Sequence, residues 1–452
     1  MKPYKHPRGN IFYRNMHKTH PQIVRGEGVY LFDAEGKRYI DGSGGAIVVN
    51  TGHGVQSIAD AIAKQAGKVA YIHARSFTSE ILENYAQALG EIIPLPDAKF
   101  YFLTSGSEAV EAAIKLARQI HLERGETTRH LTISRWMSYH GLSMGALAVT
   151  GKEKMRAAYQ PMFQDMPHIP PPYCYRCPFG LTHPGCNLAC ANSLEDEIQK
   201  QGAENVSAFL AEPVSGATLG AVVPPEGYWT RIREICNQYG VLLIADEIMT
   251  GMGRTGKWFA VEHWSLTADI LTIGKGAASG YFPLSIVAVK GEHVDIIARG
   301  SGDFNHGGTY SHHAVGAAAG LATLEYLRAN QLVERSATLG KFIQTKLNEQ
   351  LGNLAYVGDI RGMGMMWGIE FAQDKDTKQP FEPAFHFSQR VADEAFERGL
   401  SLYPGSGCID GLTGDHLMFA PPFTITESQI ETSLETMQDS IAAVHNQMPA
   451  SG

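Results

Sequence analysis

Cysteine is scarce in this chain, with six in 452 residues, too few to staple a fold of this size and in keeping with a reducing compartment. Long apolar runs are missing as well. No stretch approaches the roughly 20 residues of a membrane span, and the opening MKPYKHPRGN has charge and proline with no apolar segment behind it. Basic residues do not dominate: lysine and arginine total 38 against 46 acids, a formal net charge of −8. The footprint for nucleic acid or an anionic membrane is therefore absent. Internal repeats and low-complexity tracts are also lacking, which removes solenoid and linker readings. With 44% apolar and 19% charged residues, the expectation is a cytoplasmic globular protein whose partners are small molecules.

At 452 residues the chain exceeds what one hydrophobic core usually supports. Near the start, GEGVYLFDAEGKRYIDGSGG alternates apolar and polar residues around DAEGK and predicts a hairpin with a glycine turn. From about residue 56, helical stretches alternate with short apolar runs such as FYFLT, VSAFLAE, VLLIADEI and DILTIG. That alternation predicts an α/β domain with a mostly parallel central sheet. Further on come a long helix (LVERSATLGKFIQTKLNEQLG), a strand pair (IRGMGMMWGIEFA), and two more helices. The expected division is a large domain over 56–325 and a smaller α+β domain assembled from 1–55 and 326–452.

Four of the cysteines, Cys174, Cys177, Cys186 and Cys190, cluster in one Pro-rich segment that also contains His183. Such a group can hold zinc, but the segment lacks the paired short-turn symmetry of strong zinc signatures. Reduced thiols on a surface loop are the reading adopted, with no metal expected.

The densest chemistry lies in VLLIADEIMTGMGRTG, a buried strand ending in two acids and followed by a Gly-rich loop. Strand ends are where α/β proteins place chemistry. Downstream of Asp246, the apolar run DILTIGKG ends in Lys275. Taken singly, a lysine there can reach solvent and an acid can cap a turn. Together they match what pyridoxal phosphate requires: an amine for a Schiff base, and a carboxylate that keeps the pyridine nitrogen protonated. FYFLTSGSEAVEAAIKLAR offers a phosphate cradle, a strand followed by Ser105, Gly106 and Ser107 and a helix beginning at Glu108 or nearby. The alternative there is an ordinary serine cap. In SRWMSYHG, Tyr139 and His140 follow another apolar run, and the tyrosine can stack on a cofactor ring. Gly251 to Lys257 matches a nucleotide phosphate loop in form, but Trp258 replaces the hydroxyl residue that magnesium needs.

In this order and spacing, TSGSEAVEAAIKLAR, SYHG, AEPVSG, LLIADEIMTGMGRTG, TIGKG, GGTYSHH, IRGMGMMWGIEF and APPFTIT make the chain resemble the class III aminotransferases, a fold type I family that uses pyridoxal phosphate. The resemblance implies that Lys275 bears the Schiff base and shuttles the substrate proton, with Asp246 on the ring nitrogen. It implies a phosphate cup of Gly106 and Ser107, with Ser105 beside them, completed by Thr309 of a neighbouring subunit, so that the active unit is a homodimer or a tetramer of dimers. Tyr139 and Ile248 would cover the two ring faces, His140 would lie beside the cofactor, and Glu212 would brace its pocket. The implied activity is ping-pong transfer of an amino group from an amine or ω-amino acid to a 2-oxo acid such as pyruvate, glyoxylate or 2-oxoglutarate. Racemisation or decarboxylation is the alternative within the same family.

The chain departs from the family where the acceptor's carboxylate is gripped. One branch has an arginine just before the APP segment, where this chain has Met418; another has a mobile arginine in the preceding loop, here Gly411 or its neighbours. A glutamate that accompanies the first arginine is replaced by Ala217, a glutamine near the cofactor by Met249, and a substrate-side aromatic by Ile47. The expected substitutes for the missing cation are, in order, Arg135, Arg176 and Arg75.

Overall fold

The computed structural model describes residues 10–447. At its centre is a seven-stranded sheet in the order Lys99–Leu103, Ser285–Val289, Ile270–Ile273, Leu242–Glu247, Val206–Ala211, Leu131–Arg135, His168–Ile169. Strand Ser285–Val289 runs antiparallel to both neighbours, and the remaining pairs are parallel. Every other strand therefore points the same way, and their C-terminal ends gather along one edge. Leu103, Arg135, Ala211, Glu247 and Ile273 end there, and each leads directly into a segment singled out by sequence.

These strands are apolar on both faces because both faces are covered. Ala208, Leu210, Ile244, Ile270 and Val287 pack against Val110, Ala113 and Ala117 of the helix Gly106–Glu123. Phe209, Leu243, Ala245, Leu271 and Ile286, alternating with them, face the larger core cluster with Trp229 and Ile232. Ser105 caps the helix Gly106–Glu123: its side chain accepts from the Glu108 amide, and Glu108 reaches back to the Ser105 amide at 3.0 Å. The helix thus begins at Gly106, two residues before the expected start, and the Ser107 hydroxyl is left free of the capping role.

The DAEGK hairpin forms as Tyr30–Asp33 and Arg38–Asp41, with Gly36 in the turn at φ +83°. The late strand pair is Val357–Met363 with Met366–Phe371, extended by Asp415–Phe419 and Tyr403–Ser406 into a four-stranded sheet. Leu400–Ser401 lies parallel to Arg38–Asp41, so the N-terminal hairpin and the C-terminal segment share a sheet. A fully buried Arg254 fastens these parts to the Gly-rich loop. Its guanidinium donates to the carbonyls of Val49, Met365, Ala420 and Pro421 and to the Asn50 side chain. Among the described residues, no helix is long and apolar enough to cross a membrane.

Candidate active site

At the gathered strand ends, one cavity of about 200 Å³ is lined by Ser105, Gly106, Ser107, Tyr139, His140, Gly141, Glu212, Ala217, Asp246, Ile248, Met249 and Lys275. Residues up to 170 positions apart in sequence thus meet at a single small pocket, because parallel strands deliver their C-termini to one edge.

Lys275 follows its strand in the left-handed region, at φ +44°, a conformation that costs a non-glycine residue energy and is retained where surroundings enforce it. Burial pushes its amine down to about 8; the Arg254 cation adds to this, while Asp246 and Glu212 oppose it. Among the described residues the amine donates no hydrogen bond. An unengaged amine that gives up its proton this readily is a nucleophile suited to a carbonyl.

Asp246 is buried, and each of its carboxylate oxygens is oriented. Oδ1 accepts from the Ile248 amide and the Thr272 hydroxyl, both at 3.1 Å. Oδ2 lies 2.6 Å from His140 Nδ1. The His140 amide in turn donates to Thr150 Oγ1 at 2.9 Å, and the imidazole Nε2 is buried without a partner among the described residues. His140 was expected as a cofactor neighbour, but its bond to Asp246 was not, because nothing in the sequence pairs positions 140 and 246. Thr272, on the strand that leads to Lys275, was missed for the same reason.

The cradle is built on close approach. Gly106 backs onto Ile248, where an added Cβ would come within 3.1 Å of Ile248 Cδ1. Gly141, at φ +134°, leaves room for Ser107 Oγ, which accepts from the Leu142 amide at 3.2 Å. Gly106 and Ser107 occupy the first turn of their helix, where amides have no intrahelical partner. Glu212 also lines the pocket, held by Arg135 Nη2 at 3.4 Å and by the Gly216 amide at 3.2 Å.

The family described as Aminotransferase class-III matches residues 11–441. An uncharacterized aminotransferase of Bacillus subtilis, YodT, is 36% identical over 95% of this chain and 97% of its own. A leucine/methionine racemase of Thermococcus litoralis is 33% identical over 96% of this chain and 94% of its own. The crystal structure of a thermostable (S)-enantioselective omega-transaminase from Thermomicrobium roseum superposes with a TM-score of 0.90, at 37% identity over 97% of this chain and 96% of that one. This chain is a class III aminotransferase. Its fold is that of the type I pyridoxal-phosphate enzymes, and pyridoxal phosphate is its cofactor.

The pocket of the aminotransferase fits that group on its own evidence. It has a carboxylate with both oxygens oriented, an amine lowered to about 8, an aromatic ring at Tyr139 lining the same cavity, and unpaired amides at a helix N-terminus for a dianion. Thr309 does not join this pocket within one chain. It lines a separate cleft of about 1040 Å³ with Tyr71, Arg75, Tyr101, Lys115 and His306.

The departures from the family pattern converge in space. Ile47, Val214, Met366, Met418 and Ala420 form one buried apolar group, with Ala217, Met249 and Tyr403 packed against it. Ala217 and Met249 also line the Lys275 pocket, so part of the wall beside its amine is apolar. Gly411 stands apart, next to Asp410 in the wall of another cavity.

None of the three expected arginines is among the residues lining the Lys275 pocket. Arg135 is buried against Glu212. Arg176 donates through Nε to Glu370 and through Nη1 to the Lys378 carbonyl, and it lines a cavity of about 820 Å³ beneath the cysteine segment. Arg75 is exposed and pairs with Asp303 at 3.0 Å, beside Thr309. The cysteines are all free thiols, and among the described residues no group of three or more His, Cys, Asp or Glu is placed to hold a metal. Burial, with neighbouring thiols adding to it, pushes Cys190 up to about 12.

Proposed function

We propose that the enzyme moves an amino group from an amine or ω-amino acid to a 2-oxo acid (pyruvate, glyoxylate or 2-oxoglutarate) in two ping-pong half-reactions. It works in the cytoplasm as a homodimer, or as a tetramer of dimers, in which the partner subunit's Thr309 completes each phosphate cup. The observation that carries this reading is the meeting of Lys275, Asp246 and the Ser105–Ser107 turn at one cavity. When bound, pyridoxal phosphate supplies an electron sink for the charge that develops on the donor's reacting carbon.

The chain's own groups divide the remaining tasks. Asp246 would hold the proton on the ring nitrogen, and His140 and Thr272 keep its carboxylate from rotating. The Lys275 amine, freed of its proton near pH 8, would hold the cofactor through Nζ and would carry the substrate proton on that same atom. Gly106 and Ser107 hold the phosphate through their amides and the Ser107 hydroxyl. Ile248 and Tyr139, an alkyl and an aromatic surface lining the same cavity, would confine the ring. The apolar group around Met418 and Ala217 excludes water and suits a donor with an apolar body.

A screen of amines and ω-amino acids against the three acceptors tests this. Transfer to at least one acceptor is expected, with loss of the visible band of the bound cofactor when donor alone is added. No transfer from any donor to any acceptor refutes the proposal. One observation favours racemisation as a second reading: the wall beside Lys275 lacks the charged pair that relatives devote to a second substrate. On that reading, L-leucine or L-methionine loses optical activity without any 2-oxo acid while the visible band persists.

A further inference from the structure

The apolar side of the Lys275 pocket is carried by a turn, and that turn is held from outside. Residues 215–222 close on themselves: the Leu219 and Ala221 amides donate to the Gly216 carbonyl, and the Ser215 amide to that of Val222. Ala217 lines the pocket. Gly216 lies so close to Met249, a second lining residue, that a Cβ there would come within 2.9 Å of its sulfur. A shift of the turn therefore moves two lining residues together. On the large-sheet side, Glu212 accepts from the Gly216 amide at 3.2 Å, and the Met137 carbonyl accepts from the Thr218 hydroxyl. Three carbonyls of the turn are gripped from the four-stranded sheet of the C-terminal part. Arg361 donates to those of Gly220, at 2.8 Å, and Leu219, and His416 Nε2 lies 2.9 Å from that of Ala217.

His416, fully buried on the strand Asp415–Phe419, is the member of this set that reaches a pocket-lining residue. A carbonyl can only accept, so Nε2 bears the proton. Nδ1 is buried without a partner among the described residues. Burial, and after it the Arg361 cation, push the imidazole down to about 4, which keeps the ring neutral. The surroundings are cut to fit it. A Cβ at Gly405 would stand 2.1 Å from His416 Nε2, and one at Gly220 would stand 2.7 Å from its Cδ2. A Cβ at Gly368 would stand 2.1 Å from the Gly220 carbonyl oxygen. Gly405 and Gly368 lie inside strands, where glycine gives up packing and marks the close approach of another group. Three side chains are thus absent where the ring and the turn dock. Apolar filling alone would have no need of a buried imidazole with an idle nitrogen.

We propose that His416 is a positioning residue for substrate selection: by holding the Ala217 carbonyl, it sets how much room the apolar side of the Lys275 pocket leaves for a substrate's body. The proposal rests on the reading of that pocket as the reacting site and adds a residue that fixes its dimensions without touching substrate. Ala217 has too short a side chain to hold itself in place, so its position is set through its backbone. A carbonyl stranded without its donor turns toward water, and the pocket is where Ala217 meets open space. The wall then moves inward and disfavours large substrates more than small ones.

The test compares wild type, His416→Phe and His416→Gln holoenzymes. Phenylalanine keeps the ring and loses the donor, while glutamine places an amide N–H near the position of Nε2. Methoxyamine and O-benzylhydroxylamine, a small and a large probe, react with the cofactor's carbonyl carbon and bleach its visible band without moving an amino group. In His416→Phe the half-saturating concentration of the large probe, relative to the small one, should rise at least about fivefold, and His416→Gln should return it to within about twofold of wild type. Hydrogen exchange of the Ser215, Leu219 and Ala221 amides, which needs no chemistry at the cofactor, should quicken at least about tenfold in His416→Phe and stay near wild type in His416→Gln. If His416→Phe does not fold, His416→Asn, whose amide stops short of the carbonyl, gives the same two readings. An unchanged probe ratio, an equal loss for both probes, or a glutamine variant that behaves as the phenylalanine one overturns the proposal. If wild type moves an amino group from no donor, the transamination reading fails, and the probe ratio still decides the role of His416.

Discussion

Two walls of one small pocket obey different rules. One wall is polar, and its hydrogen bonds define it: Asp246 with His140 and Thr272, Ser105 with Glu108, Ser107 with the Leu142 amide. The other wall is apolar, lined by Ala217 and Met249 and backed by the buried Met418 and Ile47. The difference teaches that one wall fixes particular atoms at particular places, whereas the other sets only volume and polarity. Removing Lys275 should therefore abolish catalysis, removing single hydrogen-bonding groups of the first wall should cost less, and a change in the second should redirect or destabilise the protein.

The largest effect is expected at Lys275. Lys275→Ala should lower kcat by about a thousandfold or more, since it removes both nucleophile and proton carrier. The visible band of the bound cofactor should vanish as well, while thermal unfolding stays cooperative. Retention of the band in this variant would mean that another amine holds the cofactor, and the polar wall would lose its central member.

The apolar wall can be broken in the opposite sense. Met418 is fully buried on the strand Asp415–Phe419, opposite Gly368 and Tyr403. Met418→Arg places an unpaired guanidinium there and should destabilise the fold by about 3 kcal/mol, in the range seen when a buried charge is left alone. Adding Ala217→Glu, whose backbone packs beside the same group, should restore at least about 1 kcal/mol through a new ion pair. Additive losses in the double variant, read by denaturant titration, would show that the two positions do not face each other across the mouth.

This contrast also explains how much was legible in advance. The strand-ending motifs were readable because a buried parallel strand writes an unbroken apolar run; Asp246, Lys275 and Ser105–Ser107 were singled out that way, and they line one cavity. His140 and Thr272 make their contacts across the sheet, and no local pattern encodes which strands become neighbours. The helix start was misplaced because TSGS offers two serines, and the Glu108 side chain decides for Ser105 by reaching back to its amide. The apolar wall was visible only as a set of absences at Met418, Ala217 and Ile47, whose convergence depends on N-terminal and C-terminal segments folding over the large sheet. Arg254, the hub of that convergence, was legible at most as a lone arginine in a glycine loop. The arginines proposed as substitutes illustrate the limit of motif context, since Arg135 and Arg176 are engaged by Glu212 and Glu370, two acids distant in sequence.

A pH experiment sharpens the polar side. The Lys275 amine is lowered to about 8, so its neutral fraction falls tenfold per pH unit below that point and saturates above it. Loading of the cofactor-free enzyme with pyridoxal phosphate should therefore accelerate about tenfold from pH 6 to pH 7 and level off above pH 8.5 or so, followed by the rise of the visible band. A rate still climbing tenfold per unit at pH 9.5 would mean an ordinary lysine, and the burial argument would fail.

The smallest effect separates two serines that sit two residues apart. Ser105 caps the helix Gly106–Glu123 through the Glu108 amide, so Ser105→Ala should lower stability by about 1 kcal/mol and change cofactor affinity little. Ser107 bonds only the Leu142 amide among the described residues, and its hydroxyl proton is free for a phosphate oxygen. Ser107→Ala removes one such bond while the Gly106 and Ser107 amides remain, which corresponds to about 1 kcal/mol and a loss in pyridoxal-phosphate affinity of roughly fivefold to tenfold. Equilibrium dialysis and thermal unfolding on both variants give a crossed pattern if the cradle is divided in this way. If both serines change affinity equally, then the cap and the phosphate site are one feature, and the polar wall is less finely partitioned than its hydrogen bonds suggest.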